Sequence, residues 1–307
     1  MARIRVSISE RAESVIFDTI NYALMIFICV VTLYPFLNTL AISLNDAIDT
    51  VRGGIYIWPR KFTPYNYIKL FSENKSILNA TFISASRAVV GSTLGVFSCM
   101  SLAFTLSRKD FVLRKIFTKL LVYTMYFSGG IIPVYMLMRS LGLINNYLVY
   151  ILPAIIGAYN IMVIRSYIDG LPAGLIEAAK IDGASEYRIL FQIIFPLSLP
   201  VLAVIVLFIA VSQWNSWFDT MLYCSSTKSL STLQFELQKI LMASRMLSES
   251  AGDAATSMSA SMDVSAVVTP TSIRAAMTMI AVLPILCAYP LLQKYFISGL
   301  TLGGVKG

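Results

Sequence analysis

The sequence predicts an all-α fold: a polytopic membrane protein of six transmembrane helices, with one structured cytoplasmic loop and long extracytoplasmic loops. Three observations predict it. Hydrophobic residues make up 57% of the 307, and Asp, Glu, Lys and Arg only 13%, about half the roughly 25% charged share of soluble domains. The mean hydropathy is +0.74, so a water-soluble fold of this length would leave much apolar surface wet, whereas lipid is itself an apolar solvent. The apolar residues also fall into separated runs, with basic residues gathered at their edges.

A span needs about 20 mainly apolar residues. The runs 16–43, 79–106, 118–138, 148–164, 197–218 and 272–294 qualify, and together they make a single transmembrane domain over 1–307. The first contains Pro35 and the fourth is short at its edges, features tolerated where neighbouring helices satisfy freed backbone groups. None carries Asp or Glu in its middle. Between spans two and three lie Arg108, Lys109, Arg114, Lys115 and Lys119 against Asp110, while between spans three and four there is Arg139 alone. Basic residues in short loops favour the cytoplasmic side, so the first of these loops is cytoplasmic and the second outside. Six spans then put both termini in the cytoplasm, in keeping with Arg3, Arg5 and Arg11 near the start and Lys294 and Lys306 near the end. The stretch 45–78 holds Arg52, Arg60, Lys61, Lys69 and Lys75 but is assigned outside. Its length lowers the orienting weight of those charges. The basic start is reminiscent of a signal peptide, but the apolar run is too long and lacks a small-residue cleavage pattern. It is read as an uncleaved first span.

Composition also limits the chemistry. The formal charge of +8 is spread along span edges and not gathered on one face or tail, so nucleic acid is not an expected partner. Cys29, Cys99 and Cys287 fall inside apolar runs as small packing residues, and Cys224 near a span end has no evident partner. There is no histidine, which removes the commonest general base and metal ligand. A membrane enzyme would need paired carboxylates or metal ligands in the spans, and a secondary transporter an intramembrane acid or broken helices. The spans show no histidine, paired carboxylates or metal ligands, and they lack a central acid.

Two loops stand out. The outer loop 219–271 contains a predicted helix from Leu233 to Met246, then a Ser/Ala/Met tract from Ser248 to Ser265, which is either a linker or a surface for an external partner. The cytoplasmic loop 165–196 runs Leu171-Pro172-Ala173-Gly174-Leu175-Ile176-Glu177-Ala178-Ala179-Lys180-Ile181-Asp182-Gly183-Ala184. Pro172 suits the first turn of a helix, Gly183 the left-handed position that ends one, and Ser185 the cap of a second helix running into Pro196. The loop is therefore a short helix, a sharp turn and a second helix on the membrane surface. Ala178 and Ala179 are expected to give it a flat face of small residues.

These residues resemble a known family. Glu177-Ala178-Ala179, Gly183, Ile193 and Pro196 match the EAA signature of membrane subunits of ABC importers, with Phe195 where the family has Leu. The resemblance implies that the loop is the coupling helix that sits in a cleft of an ATPase subunit, and that Glu177, Ala178, Ala179, Asp182 and Gly183 carry the coupling. Tyr34-Pro35, the Pro59 to Phe71 stretch with Asn66-Tyr67, Asn160 with Arg165, and Trp214-Asn215 look like maltose-type carbohydrate permeases. That resemblance covers nearly the whole chain. It implies alternating-access uptake of a sugar in the bacterial cytoplasmic (inner) membrane, and a second, non-identical permease subunit, two ATPase subunits and an extracytoplasmic solute-binding protein as partners. The outer loop and the ending Lys294-Tyr295-Phe296 to Gly304-Val305-Lys306-Gly307 look closest to an oligosaccharide branch that includes acidic plant or algal chains. An importer of a non-sugar solute shares the same signature and remains an alternative.

The chain has no Gly-rich phosphate loop, so no cofactor is expected on it. ATP and Mg belong to the partner ATPase subunits. Gly91 and Gly95 have GxxxG spacing, which favours close helix packing. For the solute path, Gln213, Trp214 and Asn215, with Trp217 beside them, form a polar and aromatic group that suits sugar rings or, equally, an interfacial aromatic belt. Arg87 falls about two turns into span two, where a charge is costly and marks a substrate contact or an ion pair with the partner subunit. With Arg274 it would line an access path that favours uronic-acid sugars.

Overall fold

The structure, a computed structural model, describes residues 8–73, 75–250 and 269–304. Arg3, Arg5 and Lys306, and the Ser/Ala/Met tract from 251 onward, lie outside the described residues. Among the described residues the regular elements are helices, and the one backbone bridge, Asn45 with Phe62, stands isolated. The chain divides into two compact units, 1–72 with 244–280 and 73–243 with 281–307.

In the first unit α1 (Ile8–Ser43) is a single helix of 36 residues, about 54 Å long at 1.5 Å per residue. Most of its side chains from Val15 to Tyr34 are exposed apolar groups, which is stable in lipid and would not be in water. Its C-terminal end is tied into a polar knot. Asn66 Nδ2 donates to the carbonyls of Ser43 and Asn45, each at 2.9 Å. Asn45 Nδ2 donates to Asp49 Oδ2 and Thr50 Oγ1 at 3.1 Å, while its Oδ1 accepts from the Lys61 amide at 2.8 Å. Asp46 caps α2 (Ala47–Val51) through the amides of Ile48 and Asp49, and α3 (Tyr65–Glu73) follows. Arg60, one of the five basic residues that seemed out of place outside, pairs with Asp49 at 3.0 Å and bonds the Gly53 carbonyl at 2.7 Å. It holds the turn through Gly53 and Gly54, both at positive φ.

The second unit contains α4 (Lys75–Ser107), α5 (Arg114–Tyr126), α6 (Ile131–Ser140), two 3-10 turns (Tyr147–Tyr150 and Leu152–Ala154), α7 (Ala158–Asp169) and α8 (Ala173–Ile181). Then come α9 (Glu186–Arg188), a π-helical stretch (Ile189–Ile194), α10 (Phe195–Leu197), α11 (Leu199–Asn215), α12 (Phe218–Tyr223) and, reaching past the unit's edge, α13 (Leu233–Ser250). The last helix, α14 (Pro270–Gly304), has residues in both units. Helix α4 packs against both α7 and α11. The expected close packing at Gly91 and Gly95 is present: a Cβ at Gly91 would meet Gln213 Nε2 at 3.0 Å, and one at Gly95 would meet Ile209 Cδ1 at 3.1 Å. Ile161, Ile164, Ile189, Ile194 and Ile205 are fully buried in the core that these helices share.

Three described helical stretches are long and apolar enough to cross a membrane: Val15–Ser43, Ser76–Ser107 and Pro270–Ala288. They match the first, second and sixth expected spans. Of the other three expected spans, the third and fourth are broken within their length, while the fifth is a single helix from Leu199 to Asn215 with a sharp bend at its start. The third breaks between α5 and α6 with a bend of 119°, at Ser128-Gly129-Gly130, where Gly130 takes φ +84. The fourth bends by 43° at Gly157, after a start in 3-10 turns around Pro153. The fifth meets the preceding helix at 81° beside Pro196, Ser198 and Pro200. Glycine and proline act here through the backbone: one admits positive φ, and the other removes an N–H and crowds the carbonyl four residues earlier.

Candidate functional site

The loop 165–196 has the expected form. After Pro172, α8 ends in a Gly183 with φ +73, and the Ala184 amide returns to the Ala179 carbonyl at 2.9 Å. That six-to-one bond is the mark of a glycine-terminated helix end. Ser185 Oγ accepts from the Arg188 amide at 3.3 Å and caps the next helix. That helix does not run on as a regular α-helix. It widens into a π stretch before Pro196, where a four-residue-back bond to Gln192 has no N–H to form it.

Exposure sorts the expected coupling residues. Glu177, Ala178, Asp182 and Gly183 are exposed, and Glu177 forms no ion pair among the described residues. Ala179 does not belong to the outer face. It is 7% exposed and packs in the core with Ile164, Ile168 and Ile189, because helical periodicity turns adjacent residues about 100° apart. The expected two-alanine face is therefore Ala178 alone, and Ala179 seats the helix on the core. Ile181 and Tyr187, 86% and 78% exposed, were missed by sequence reasoning. They flank the Gly183 turn, and an apolar residue on each side of a glycine turn in a polar loop is the signal that marks them. Lys180 Nζ bonds Asp110 at 3.1 Å and lies 3.4 Å from Glu186, and Arg108 bonds Glu186 at 3.1 Å. These ion pairs tie the loop to the connection between α4 and α5.

The expected solute-path residues behave differently. Arg87 is 2% exposed and fully partnered. Its Nη atoms form a fork with the carboxylate of Asp219, Nη1 also reaches the Ser216 carbonyl at 3.4 Å, and Nε donates to Gln213 Oε1 at 2.9 Å. The Tyr150 ring lies 4.4 Å from its guanidinium carbon. Arg87 was expected to contact substrate or to pair with the partner subunit; the ion pair observed is instead made within this chain, with Asp219. The acid had gone unread because it starts the outer loop instead of lying in a span. Trp214 is buried and donates Nε1 to the Ala281 carbonyl at 2.8 Å, so its ring is committed to packing. Asn215 is exposed and accepts from Gln234 at 3.1 Å. Arg274 is exposed on α14.

Gln213 leads to a site that the sequence did not reveal. Its Nε2 donates to the Tyr150 carbonyl at 3.1 Å, and its side chain lines a cavity of about 280 Å³ with Tyr159, Asn160, Ser212, Phe208 and Ile209. Tyr159 and Asn160 come from the first turn of α7, and the others from one face of α11. Gly157 lets Asn160 fold back beside it, since a Cβ there would meet Asn160 Nδ2 at 2.8 Å. The cavity offers amide and hydroxyl groups with an aromatic face, a set suited to an uncharged polyhydroxylated solute.

Residues 95–301 match the family described as the binding-protein-dependent transport system inner membrane component. The chain belongs to this family. It is a membrane permease subunit of an ABC importer, and multi-pass. It is 33% identical over 295 residues to the polygalacturonan/rhamnogalacturonan transport system permease protein YtcP of Bacillus subtilis (strain 168), covering 95% of this chain and 99% of that one. It is 34% identical to protein LplC of the same organism over the full length of both. Among solved structures it resembles a bacterial ABC transporter involved in the import of the acidic polysaccharide alginate, with a TM-score of 0.81, 26% identity, and coverage of 96% of this chain and 100% of that one. The permease thus has the fold of that transporter chain.

Proposed function

We propose that this permease forms half of the translocation pathway for an oligosaccharide, acidic plant or algal chains included, taken up by alternating access and driven by ATP hydrolysis on two partner ATPase subunits. A second, non-identical permease completes the pathway, and an extracytoplasmic solute-binding protein delivers the solute. Each bent pair counts as one span, which gives six spans with both termini in the cytoplasm. The loop 165–196 is the coupling element, with Glu177, Ala178, Asp182 and Gly183 facing the ATPase and Ile181 and Tyr187 adding apolar contact. The observation that carries the solute class is the cavity at Tyr159, Asn160, Ser212 and Gln213: it holds neutral hydrogen-bonding groups and an aromatic ring, and no charge lines it. The relatives' polysaccharide substrates support the same class.

The test is uptake into lipid vesicles holding the complete importer, with ATP inside and a rhamnogalacturonan oligosaccharide, which carries both uncharged and uronate rings, supplied with the binding protein. ATP-dependent uptake, lowered by Asn160→Ala, is expected. Uptake that runs on an ion gradient without ATP would make this a secondary transporter. Uptake of peptides or amino acids in place of sugars would favour the non-sugar importer.

A further inference from the structure

A second cavity of about 350 Å³ lies in the same unit, where α5 breaks into α6 and α11 into α12. The two backbone breaks create it. One exposes Ser128 beside Ile131 and Val134, and the other brings Phe218, Asp219 and Tyr223. Its size is near the lower end of ligand pockets, roughly 300–1,000 Å³, fit for a sugar ring and not for a long chain.

Its chemistry is set by Asp219. An ionised carboxylate offers about four acceptor positions. Oδ1 takes the Thr220 amide at 2.8 Å and Arg87 Nη1 at 3.3 Å, and Oδ2 takes Arg87 Nη2. About one position therefore remains, on Oδ2. The ion pair is also asymmetric: the Asp219 side chain is 22% exposed and that of Arg87 only 2%. The cavity consequently meets the carboxylate end of the pair, with the guanidinium held behind it against Tyr150 and Gln213. No lysine or arginine lines the cavity. Phe218 offers an apolar face, and Tyr223 is stacked on Tyr135 with centroids 6.1 Å apart and rings 9° from parallel. The wall thus has a hydroxyl acceptor, aromatic surface and nothing to compensate an anion.

We infer that this cavity is a subsite for one uncharged ring of the transported oligosaccharide, which donates a hydroxyl to Asp219 and lays its C–H face on Phe218, and that it excludes a uronate carboxylate. The inference rests on the oligosaccharide reading above. It fits the partition between the two cavities: Arg87 bonds both Asp219 here and Gln213 in the wall of the first. The same arginine that fixes the acceptor therefore fixes a wall of the neighbouring cavity.

The test uses the complete importer in lipid vesicles, with Ser128→Cys introduced after Cys29 and Cys287 are replaced by serine. The rate of maleimide modification is measured with methyl α-galactopyranoside or galacturonate present at equal concentration. The galactoside should slow modification, and galacturonate should protect about tenfold less well, the scale of like charges brought together at a partly screened site. Phe218→Ala, which leaves the ion pair intact, should remove the galactoside's protection. The pair Arg87→Gln with Asp219→Asn removes both charges, and in it the two sugars should protect alike. Equal protection by both sugars in the parent background, or protection by neither, overturns the subsite. Uptake of a rhamnogalacturonan oligosaccharide, which carries uncharged rings, measured on the same vesicles reports separately on the proposed function: uptake without protection refutes the subsite alone. Protection without ATP-driven uptake of any oligosaccharide refutes the transport reading and leaves the subsite standing.

Discussion

Replacing Gly183 by aspartate separates folding from coupling because the structure gives the substitution room. Gly183 sits at φ +73, yet an added Cβ would find nothing within 4 Å. The cost within the chain is then backbone strain of about 1 kcal/mol, aspartate being among the side chains that tolerate this region best. A further penalty of about 0.3–1 kcal/mol comes from a negative charge at the C-terminal end of α8. Set against the roughly 5–15 kcal/mol of a typical domain, a total near 2 kcal/mol leaves the permease folded and inserted. Docking is another matter. If Ile181, Asp182, Gly183 and Tyr187 enter an ATPase cleft, the new carboxylate is desolvated without a partner. A mispaired interfacial charge costs about 2–5 kcal/mol, which weakens association by about 30-fold to several thousand-fold. Gly183→Asp should therefore insert normally but lose ATPase subunits on co-purification, or lose hydrolysis stimulated by loaded binding protein. Gly183→Ala carries similar strain without charge and should lose about fivefold or less, the equivalent of roughly 1 kcal/mol. Glu177→Ala should weaken assembly more mildly than the aspartate. Wild-type co-purification and stimulation in Gly183→Asp would refute the coupling assignment.

Arg87→Gln removes half of a largely buried ion pair and should lower the unfolding midpoint of the detergent-solubilised protein. About 3 kcal/mol is expected, the lower end of the usual range because Asp219 keeps some exposure, and adding Asp219→Asn should restore most of it. An unchanged midpoint with altered sugar selectivity would instead return Arg87 to the solute path. In the polar knot after α1, the hydrogen bond from Asn45, and then Arg60, hold the Asp49 carboxyl below its ordinary value against the opposing effect of burial. Its contribution is therefore present above the ordinary carboxylate range and lost as pH falls through the lowered value. Proteolysis of the 45–72 region should begin at low pH in the parent, and Asp49→Asn should flatten that dependence; identical profiles would exclude Asp49 as the titrating group. For topology, with Cys29 and Cys287 replaced, a cysteine at Ser225 should react with an impermeant maleimide from outside, and one at Val112 only after permeabilisation. The reverse pattern would invert the assigned orientation.

Much of the membrane class and of the coupling loop could be read directly from residue order. Apolar runs specify spans because backbone groups must be satisfied within each helix in lipid. The Pro172, Gly183 and Ser185 signals are local too, since a cap or a left-handed turn depends on the residues that form it. Positive φ at Gly183 and the Ser185 cap follow from those residues alone. The straightness of the spans was less legible. Ser128-Gly129-Gly130 and Pro153 with Gly157 signal weak points, but how far a helix bends there depends on what packs against each half. Exposure within the loop was also partly hidden, and Ala179 turned inward because the core of α4, α7 and α11 chose which face of α8 to cover.

What the sequence by itself determined is the polytopic helical class, the loop with its glycine turn, and the close-packing positions Gly91 and Gly95, because each rests on composition or on neighbours in the chain. Only the tertiary structure decided the role of Arg87, whose partner Asp219 is 132 residues away. It likewise drew Tyr159 and Asn160 of α7 together with Ser212 and Gln213 of α11, and withdrew Trp214 into packing. A buried charge or amide takes its function from whichever group satisfies it, and helix packing selects that group from anywhere in the chain.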